Sequence, residues 1–247
     1  HHFVHFARIF MLLLFLTVWE LFADFHIIDS FFFSSPSRVV ACFVRMVSER
    51  SLFTHIGITL TETVISFFLV ALVSLSAATL LWYSRRLSEI LEPFLVVLNS
   101  LPKSALAPLL IVWLGTGMDT IIAAGISVAI FGAIINLYTG FLQADPEKLL
   151  LIRTLGGTRR DCFFKVVLPA SIPVILSNMK VNIGLSLVGV VIGEFLAARR
   201  GLGYLIIYGS QVLQLDMLIT SILLLCIIAM GLYQLLQFAE HCYKKKV

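Results

Sequence analysis

The chain has 247 residues, of which 60% are hydrophobic and only 13% are charged. A soluble globular domain carries about a quarter charged residues, so this composition excludes that class and indicates a single polytopic membrane domain over residues 1–247. The formal net charge of +4 does not indicate a nucleic-acid partner, because the basic excess lies beside apolar stretches, as is usual in membrane proteins.

Six segments are long and apolar enough to cross a membrane, which takes about 20 residues in a helix. In chain order they are roughly Phe6–Phe22, Ile56–Tyr83, Phe94–Leu114, Thr120–Leu142, Val174–Ala197 and Met217–Ala239. The first is interrupted by Glu20 and ends without a small-residue cleavage site, so we interpret it as a membrane anchor and not as a signal peptide. The sequence thus predicts an all-α protein with about six transmembrane helices.

The stretch SSPSRVVACFVRMVSER lies between the first two predicted spans. Its apolar residues recur at near-helical spacing: Val39, Val40, Phe43, Val44 and Val47. We expect an amphipathic helix, capped by Ser35 or Ser37 with Pro36 beside the cap, that lies along the outer membrane surface.

The third predicted span contains two prolines, Pro102 and Pro108, with Lys103 between them. Broken backbone at membrane depth is tolerated where it lines a cavity or is covered by protein, so we expect either a segment of a translocation path or a kink for packing. Asn136, Lys180 and Glu194 are further polar residues inside predicted spans, where the lipid penalises them. They either line a path or make contacts between helices, such as an ion pair of Glu194 with Lys180 or Lys103.

Glycine and alanine recur in the fourth and fifth predicted spans, where they allow close helix contact. These residues are Ala123, Ala124, Gly125, Gly132, Gly184, Gly189 and Gly193. After the fifth span, Arg199–Gly203 is expected to form a solvated loop, with contact to a substrate-delivering protein as the alternative.

The charged stretch between the fourth and fifth spans predicts two short helices. Asp145 is a suitable N-cap and Pro146 suits a first helical turn, so a helix is expected over Lys148–Leu155. Gly156 or Gly157 would end it in the left-handed conformation. A second helix is expected over about Arg159–Val167, and Pro169 and Pro173 are expected to set the re-entry into the membrane.

The distribution of lysine and arginine predicts the orientation. With six spans and the N-terminus inside, eleven basic residues are cytoplasmic: Arg8, Arg85, Arg86, Lys148, Arg153, Arg159, Arg160, Lys165, Lys244, Lys245 and Lys246. Five lie outside: Arg38, Arg45, Arg50, Arg199 and Arg200. Both termini are therefore predicted to be cytoplasmic, and the two short helices with them.

The segment DPEKLLLIRTLGGTRRDCFFKVVLPASIP resembles the EAA loop of ABC-importer permeases, whose pattern is E-A-A-x-x-x-G followed farther on by I-x-L-P. Here Gly156 matches the glycine and Leu168-Pro169 match the ending. The resemblance also covers SSPSRVV, LNSLPKSALAPLLIVWLGTG and VIGEFLAARRGLGYLI. Nearly the whole chain resembles the branch that imports nitrate, taurine and aliphatic sulfonates, which also contains importers of vitamin precursors such as pyrimidines and riboflavin.

This resemblance implies a type I ABC importer permease fold in the bacterial inner membrane, with a cytoplasmic coupling loop at about 145–169. The implied partners are a cytoplasmic ATP-binding subunit dimer, a second permease copy, an extracytoplasmic solute-binding protein and membrane lipid. ATP hydrolysis is expected on the partner subunit, so the chain itself is expected to be no enzyme and to hold no cofactor. The absence of a G-x-x-x-x-G-K-[ST] motif from the sequence agrees with this.

The resemblance also assigns candidate site residues. Those expected to couple to the ATPase are Glu147, Arg153, Thr154, Leu155, Gly156, Gly157 and Thr158. The polar groups inside the spans, and not the resemblance, indicate the residues expected to line or gate the translocation path: Lys103, Asn136 and Glu194. The positions of the E-A-A residues hold Leu150, Leu151 and Ile152 instead, so either the partner groove matches them or Glu147 supplies the acidic charge one turn earlier.

Other function classes are a secondary transporter or channel working without an ATPase, and an intramembrane enzyme. The enzyme has little support, because the six histidines do not cluster in any span and the sequence holds no nucleophile motif. The four cysteines are scattered and read as apolar residues or free thiols. The sequence leaves open whether the solute is an anion such as a sulfonate or a vitamin precursor, and whether the permease forms a homodimer or a heterodimer.

Overall fold

The computed structural model describes the backbone of residues 2–25, 27 and 29–244, and the side chains of these residues except 2–9, 30, 243 and 244. Lys245 and Lys246, two of the eleven basic residues predicted to be cytoplasmic, lie outside the described residues. All regular structure in the described part is helical. In order the helices are α1 His2–Asp24, α2 Ser30–Phe33, α3 Pro36–Ser48, α4 Ser51–Tyr83, α5 Arg85–Ser100, α6 Lys103–Leu114, α7 Met118–Leu142, α8 Pro146–Thr154, α9 Arg159–Cys162, α10 Leu168–Ala197, α11 Leu202–Gln211 and α12 Leu215–Lys244.

Four described helical stretches are long and apolar enough to cross a membrane: Ser51–Tyr83, Met118–Leu142, Arg159–Ala197 and Leu215–Cys242. A fifth span results if α5 and α6, which meet at 97°, are counted as one broken crossing. The first predicted segment, Phe6–Phe22, forms helix α1, and its role as a membrane anchor stays a prediction. Large apolar side chains such as Phe68, Leu235 and Phe238 are exposed on these helices, as lipid contact requires.

The chain divides into two compact units. The first comprises His1–Ile58 with Arg199–Ile227, and the second comprises Thr59–Ala198 with Ile228–Val247. The division falls inside α4 and α12.

In the second unit, α7 and α10 pack closely because small residues face each other. A Cβ atom added to Gly189 would lie 2.7 Å from the carbonyl oxygen of Ala124. The neighbouring core residues on α7, such as Ala129 and Ala133, are fully buried. The predicted close contact of the fourth and fifth spans is thus present, although Gly184, which belonged to the predicted set, faces open space.

The third predicted span is broken, as its prolines indicated, and the break lies at Leu101 and Pro102. Pro108 sits inside α6 without interrupting it. The helix before the break begins at Arg85, earlier than the predicted Phe94, because the first turns of α5 are amphipathic and not uniformly apolar.

The first unit confirms the amphipathic helix between the first two spans. In α3, Pro36 occupies the first turn and the Ser35 side chain caps the helix by accepting from the Arg38 N–H. Glu20 accepts hydrogen bonds from the Ser37 N–H at 3.0 Å and from the Ser37 hydroxyl at 2.6 Å. The acid that interrupts the first apolar segment therefore places its negative charge at the N-terminus of α3, where the helix dipole favours it.

The buried stripe of α3 differs from the predicted one. Val39, Cys42 and Met46 are buried, whereas Val40, Phe43 and Val44 are exposed. The spacing of apolar residues correctly predicted that α3 has an apolar surface. The first unit, however, packs against the neighbouring stripe of Val39, Cys42 and Met46 and leaves the face with Val40, Phe43 and Val44 exposed.

Two further expectations are wrong. Gly201, Leu202 and Gly203 are buried, and Leu202 starts helix α11, so only Arg199 and Arg200 of that segment are exposed as a loop would be. The chain also does not turn at Pro169 or Pro173, because one continuous helical stretch runs from Arg159 to Ala197. Its turn Phe163–Val167 is π-helical, which widens the helix just before Pro169, whose ring would otherwise meet a carbonyl of the preceding turn.

Candidate functional site

Helix α8 begins and ends at the residues that local chemistry favours. The Asp145 carboxylate accepts a hydrogen bond from the Glu147 N–H at 2.9 Å, and Pro146 fills the first turn. At the other end, Gly156 has φ +80°, the left-handed conformation that glycine adopts without strain. The N–H of Gly157 then reaches the carbonyl of Ile152 at 2.9 Å and the N–H of Gly156 reaches that of Arg153 at 3.0 Å, which together form a Schellman motif.

The turn after this motif is fixed by Thr158 and Asp161. The Asp161 carboxylate accepts from the Thr158 N–H at 2.9 Å and from its hydroxyl at 2.6 Å. The Asp161 N–H donates back to the Thr158 hydroxyl oxygen, which completes a capping box at the start of α9. The two helices of the predicted coupling loop are therefore joined by two interlocking caps across four residues, Leu155–Thr158.

A buried cluster attaches this segment to the spans of the second unit. Phe163, which follows α9, is buried and its ring lies 5.1 Å from Trp82 and 5.5 Å from Phe141, measured between ring centroids. Leu149 of α8 packs against the same cluster. Arg159 stacks on the Trp82 ring at 5.5 Å and donates to the Trp82 carbonyl at 3.1 Å, so a basic residue of the loop ties α9 to the end of α4.

The opposite side of α8 is uncovered and apolar. Leu150, Leu151 and Leu155, the last of which is the C-cap of α8, are exposed by 63%, 57% and 75% of their surfaces. Glu147, Arg153 and Thr154 are exposed among them. A short helix with three exposed leucines, held from behind by a buried cluster, has the properties of a surface that binds another protein.

An open cavity of about 500 Å³ lies between α7 and α10. It is lined by Asn136, Thr139, Gly140, Gln143, Pro173, Val174, Ser177, Asn178 and Val181. Five of these nine residues carry amide or hydroxyl groups and none is charged. The carbonyl oxygen of the Asn178 side chain is buried and has no hydrogen-bond partner among the described residues. Such groups can bind a polar solute or water.

The three predicted path residues do not meet in one place, and only Asn136 lines this cavity. The Lys103 ammonium donates to the carbonyls of Leu98, Asn99 and Leu101 at 2.6–3.0 Å. It therefore caps the last turn of α5 at the break. Neither of the two interpretations of the sequence, a segment of a translocation path or a kink for packing, included this role.

Glu194 is fully buried in α10 and accepts a hydrogen bond from the Thr59 hydroxyl at 2.6 Å. Lys180 lies 2.6 Å from Glu240 of α12, so the ion pair of Lys180 with Glu194, one of the contacts considered from the sequence, is not formed among the described residues. Glu62 of α4 is only 3% exposed and lies near Glu194. Sequence reasoning missed Glu62, although an acid inside the predicted second span is the signal that could have found it.

Residues 70–239 match the family described as binding-protein-dependent transport system inner membrane component. The chain belongs to this family. A probable ABC transporter permease protein of Haemophilus influenzae is 30% identical over 226 residues, covering 92% of this chain and 91% of that protein. The match spans both the predicted coupling loop and the cavity residues, and it identifies the chain as the permease subunit of an ABC importer rather than a secondary transporter, a channel or an intramembrane enzyme.

Two further relatives carry names that include a solute. The formylaminopyrimidine transport permease protein ThiX of Halalkalibacterium halodurans is 28% identical, covering 78% of this chain and 76% of that protein. The putative aliphatic sulfonates transport permease protein SsuC of Bacillus subtilis is 26% identical, covering 87% and 80%. The predicted relationship to the sulfonate branch is thereby confirmed.

The fold has a counterpart among solved structures. An inward-facing structure of the MetNI methionine ABC transporter superposes with a TM-score of 0.67 at 20% identity, covering 81% of this chain and 97% of that one. The predicted type I importer permease fold is therefore confirmed. The family description places such permeases in the inner membrane.

Proposed function

We propose that this permease couples closure of a cytoplasmic ATP-binding subunit to the passage of a small solute through the cavity between α7 and α10. The observation that carries the proposal is the construction of α8. Its outer face presents Leu150, Leu151 and Leu155, and its inner face is held through Leu149 by a cluster that includes Phe141 of α7 and Phe163. A force applied to α8 would therefore reach α7 and α10 directly.

The departure from E-A-A fits an apolar docking groove on the ATP-binding subunit. Leucines at positions 150 and 151 bury more apolar surface than a glutamate and an alanine would, and each fully buried leucine contributes about 1.5–3 kcal/mol. Glu147 remains exposed one turn earlier and can supply a polar contact at the rim. ATP hydrolysis belongs to that partner subunit in this proposal.

Site-directed crosslinking tests the docking surface. A Leu155→Cys variant, in a background without the four native cysteines, is expected to crosslink to the ATP-binding subunit in the assembled transporter. Arg85→Cys is the matched control, because it is exposed and is predicted to lie on the same side of the membrane. Equal crosslinking at both positions, or none at position 155, would contradict docking at α8.

We further propose that a second permease copy covers the cavity and that an extracytoplasmic solute-binding protein delivers the solute. A cavity open on one copy becomes an enclosed path when a partner lies over it, as transport requires.

Filling the cavity tests this path. Ser177→Phe places a ring at an exposed lining position and should abolish uptake without loss of folding, whereas Ala170→Phe, which is exposed but outside the lining, should leave uptake intact.

The lining supports two solute classes. Amide and hydroxyl groups can donate to the oxygens of a sulfonate such as taurine, and they can also bond to the ring nitrogens and carbonyls of a pyrimidine vitamin precursor. Relatives named for each of these classes resemble this chain. Uptake of labelled taurine and labelled formylaminopyrimidine into vesicles holding the complete transporter separates them, since only one should be accumulated against a gradient.

A further inference from the structure

Basic and aromatic side chains meet where two membrane-crossing helices end. The crossing stretch Ser51–Tyr83 ends with Trp82 and Tyr83, and the crossing stretch Arg159–Ala197 begins with two arginines. The guanidinium of Arg159 stacks on the Trp82 ring at 5.5 Å and donates to the Trp82 carbonyl at 3.1 Å. The two helix ends therefore lie at the same level, which is one surface of the membrane. Tryptophan and tyrosine are typical of that level, because their rings prefer the zone between acyl chains and water.

The positive charge at this level is not neutralised by the nearby acids. Glu89 is paired with Arg85 at 3.0 Å, and Asp161 is paired with Lys165 at 3.0 Å. Glu92 is exposed and forms no ion pair within the part of the chain that the structure describes. Three arginines at the helix ends thus have no acidic partner among the described residues: Arg86, Arg159 and Arg160. We call these three arginines the basic surface.

Exposed apolar side chains lie directly beside the basic surface. Phe164 is 52% exposed, and the Arg160 guanidinium lies over its ring at 5.7 Å. Leu87, which follows Arg86 in α5, is also exposed. A ligand that covers both kinds of group carries a negative charge next to an apolar chain. An anionic phospholipid has this structure, and its phosphate lies at the level where the apolar spans end.

The ATP-binding subunit is the other candidate for this surface, and the position of the arginines favours the lipid. The proposed docking face of α8 is apolar and consists of Leu150, Leu151 and Leu155. The basic surface lies instead at the ends of the crossing stretches, where lipid head groups surround the protein.

We propose that Arg86, Arg159 and Arg160 bind the phosphate of an anionic phospholipid such as phosphatidylglycerol, with Phe164 against its acyl chain. Guanidinium groups suit this task, because their planar set of donors matches the oxygens of a phosphate. The site goes beyond the proposed transport function, since its ligand is a component of the membrane and not the solute. It is tested on the permease alone, so its failure would leave the proposed coupling to the ATP-binding subunit unaffected.

Quenching of Trp82 fluorescence by brominated lipid tests the site at its own position. Trp19→Phe with Trp113→Phe leaves Trp82 as the single tryptophan of the chain. This parent protein is placed in phosphatidylcholine vesicles that contain an equal mole fraction of either brominated phosphatidylglycerol or brominated phosphatidylcholine. Bromine on an acyl chain quenches tryptophan only at short range, so quenching reports the lipid beside Trp82. We expect stronger quenching by phosphatidylglycerol, and the difference should shrink as sodium chloride screens the charges.

Substitutions in the basic surface supply the second arm. Arg86→Gln with Arg160→Gln should lower the preference for phosphatidylglycerol by about fivefold for each arginine removed. Arg86→Lys with Arg160→Lys keeps the charge and should retain most of the preference. Lys148→Gln with Arg153→Gln is the matched control, because it removes the same charge from exposed positions on α8 that are not at the end of a span, and it should retain the preference.

Several outcomes would overturn the proposal. Equal quenching of the parent by the two brominated lipids, or a preference that does not change with salt, would show that no anionic lipid is bound at Trp82. A preference that survives in the glutamine variant, or that falls equally in the α8 control, would show that the basic surface does not select the lipid. Displacement of the brominated lipid by inorganic phosphate at constant ionic strength would indicate a general anion site instead of a lipid site.

Discussion

At the scale of single residues, the segment between α7 and α10 depends on one backbone conformation. Gly156 has φ +80°, and a β-branched residue there costs about 1–2 kcal/mol because its side chain disfavours the left-handed region. We expect Gly156→Val to distort the Schellman motif and to uncouple α8 from the ATP-binding subunit, while the protein still inserts into the membrane.

The measurement for Gly156→Val is solute-stimulated ATPase activity of the reconstituted transporter. Gly156→Asn is the control, because asparagine adopts the left-handed conformation more readily than other residues and should retain most of the activity. Normal stimulation in the valine variant would show that the turn does not transmit the displacement.

Lys103 is a second position where one side chain has a defined task. Its ammonium group binds three carbonyls at the end of α5, and hydrogen bonds to charged groups contribute about 1.5–3 kcal/mol. Lys103→Met should therefore lower the unfolding temperature together with uptake. If Lys103 acts on the solute instead, uptake would fall while the unfolding temperature stays at the wild-type value.

Lys148→Met is the control for that experiment. Its ammonium lies 4.0 Å from the Asp145 carboxylate and is 70% exposed. Exposed pairs contribute about 0–1 kcal/mol, so this variant should unfold close to the wild-type temperature.

At the scale of helices, the sequence predicted where most elements lie. Asp145, Pro146 and Gly156 determine where α8 begins and ends through interactions within the segment itself. Such local interactions can be predicted from the sequence without knowledge of the tertiary structure. The broken third span followed from Pro102 in the same way. The continuous helix through Pro169 and Pro173 was not predicted. A π-helical turn accommodates the Pro169 ring, and no residue of the FFKVV stretch indicates that turn in the sequence.

The candidate site was predicted less completely, for a physical reason. Asn136 was found because an amide in an apolar span is conspicuous, but its cavity depends on how α7 and α10 pack. Glu194 was found and the neighbouring Glu62 was not, since the proximity of residues 132 positions apart is a property of the tertiary structure. Lys103 was placed correctly at the break, yet its carbonyl partners exist only because the chain bends there.

The contact between α7 and α10 carries a prediction at this scale. A Cβ atom at position 189 would lie 2.7 Å from the Ala124 carbonyl oxygen and 2.7 Å from Gly125 Cα, both backbone atoms that cannot move independently. Overpacking of this kind costs about 1–3 kcal/mol, so Gly189→Ala should lower the unfolding temperature and reduce uptake.

Gly184 offers a matched control on the same helix, because no atom lies within 4 Å of the added Cβ atom. Gly184→Ala should be at least as stable as the wild type, since alanine is favoured over glycine inside a helix by about 0.5–1 kcal/mol. Equal unfolding temperatures for the two variants would show that the close approach at Gly189 does not limit stability.

At the scale of the whole molecule, orientation in the membrane decides which surfaces meet which partners. We propose that both termini and α8 lie in the cytoplasm, because eleven lysine and arginine residues fall on that side of the six-span topology and five on the other. An exposed α8 facing the cytoplasm is available to an ATP-binding subunit, whereas the opposite orientation would present it to the solute-binding protein.

Cysteine labelling in intact cells determines this orientation. In a background without Cys42, Cys162, Cys226 and Cys242, the variants Arg85→Cys and Arg200→Cys each place one thiol at an exposed position. A charged maleimide that cannot cross the inner membrane should label position 200 and reach position 85 only after the membrane is opened. Both variants must insert and support uptake for the comparison to hold. Labelling of both positions from the same side would contradict the six-span topology. Labelling of position 85 from outside, with position 200 reached only after the membrane is opened, would place α8 on the side of the membrane opposite to the ATP-binding subunit.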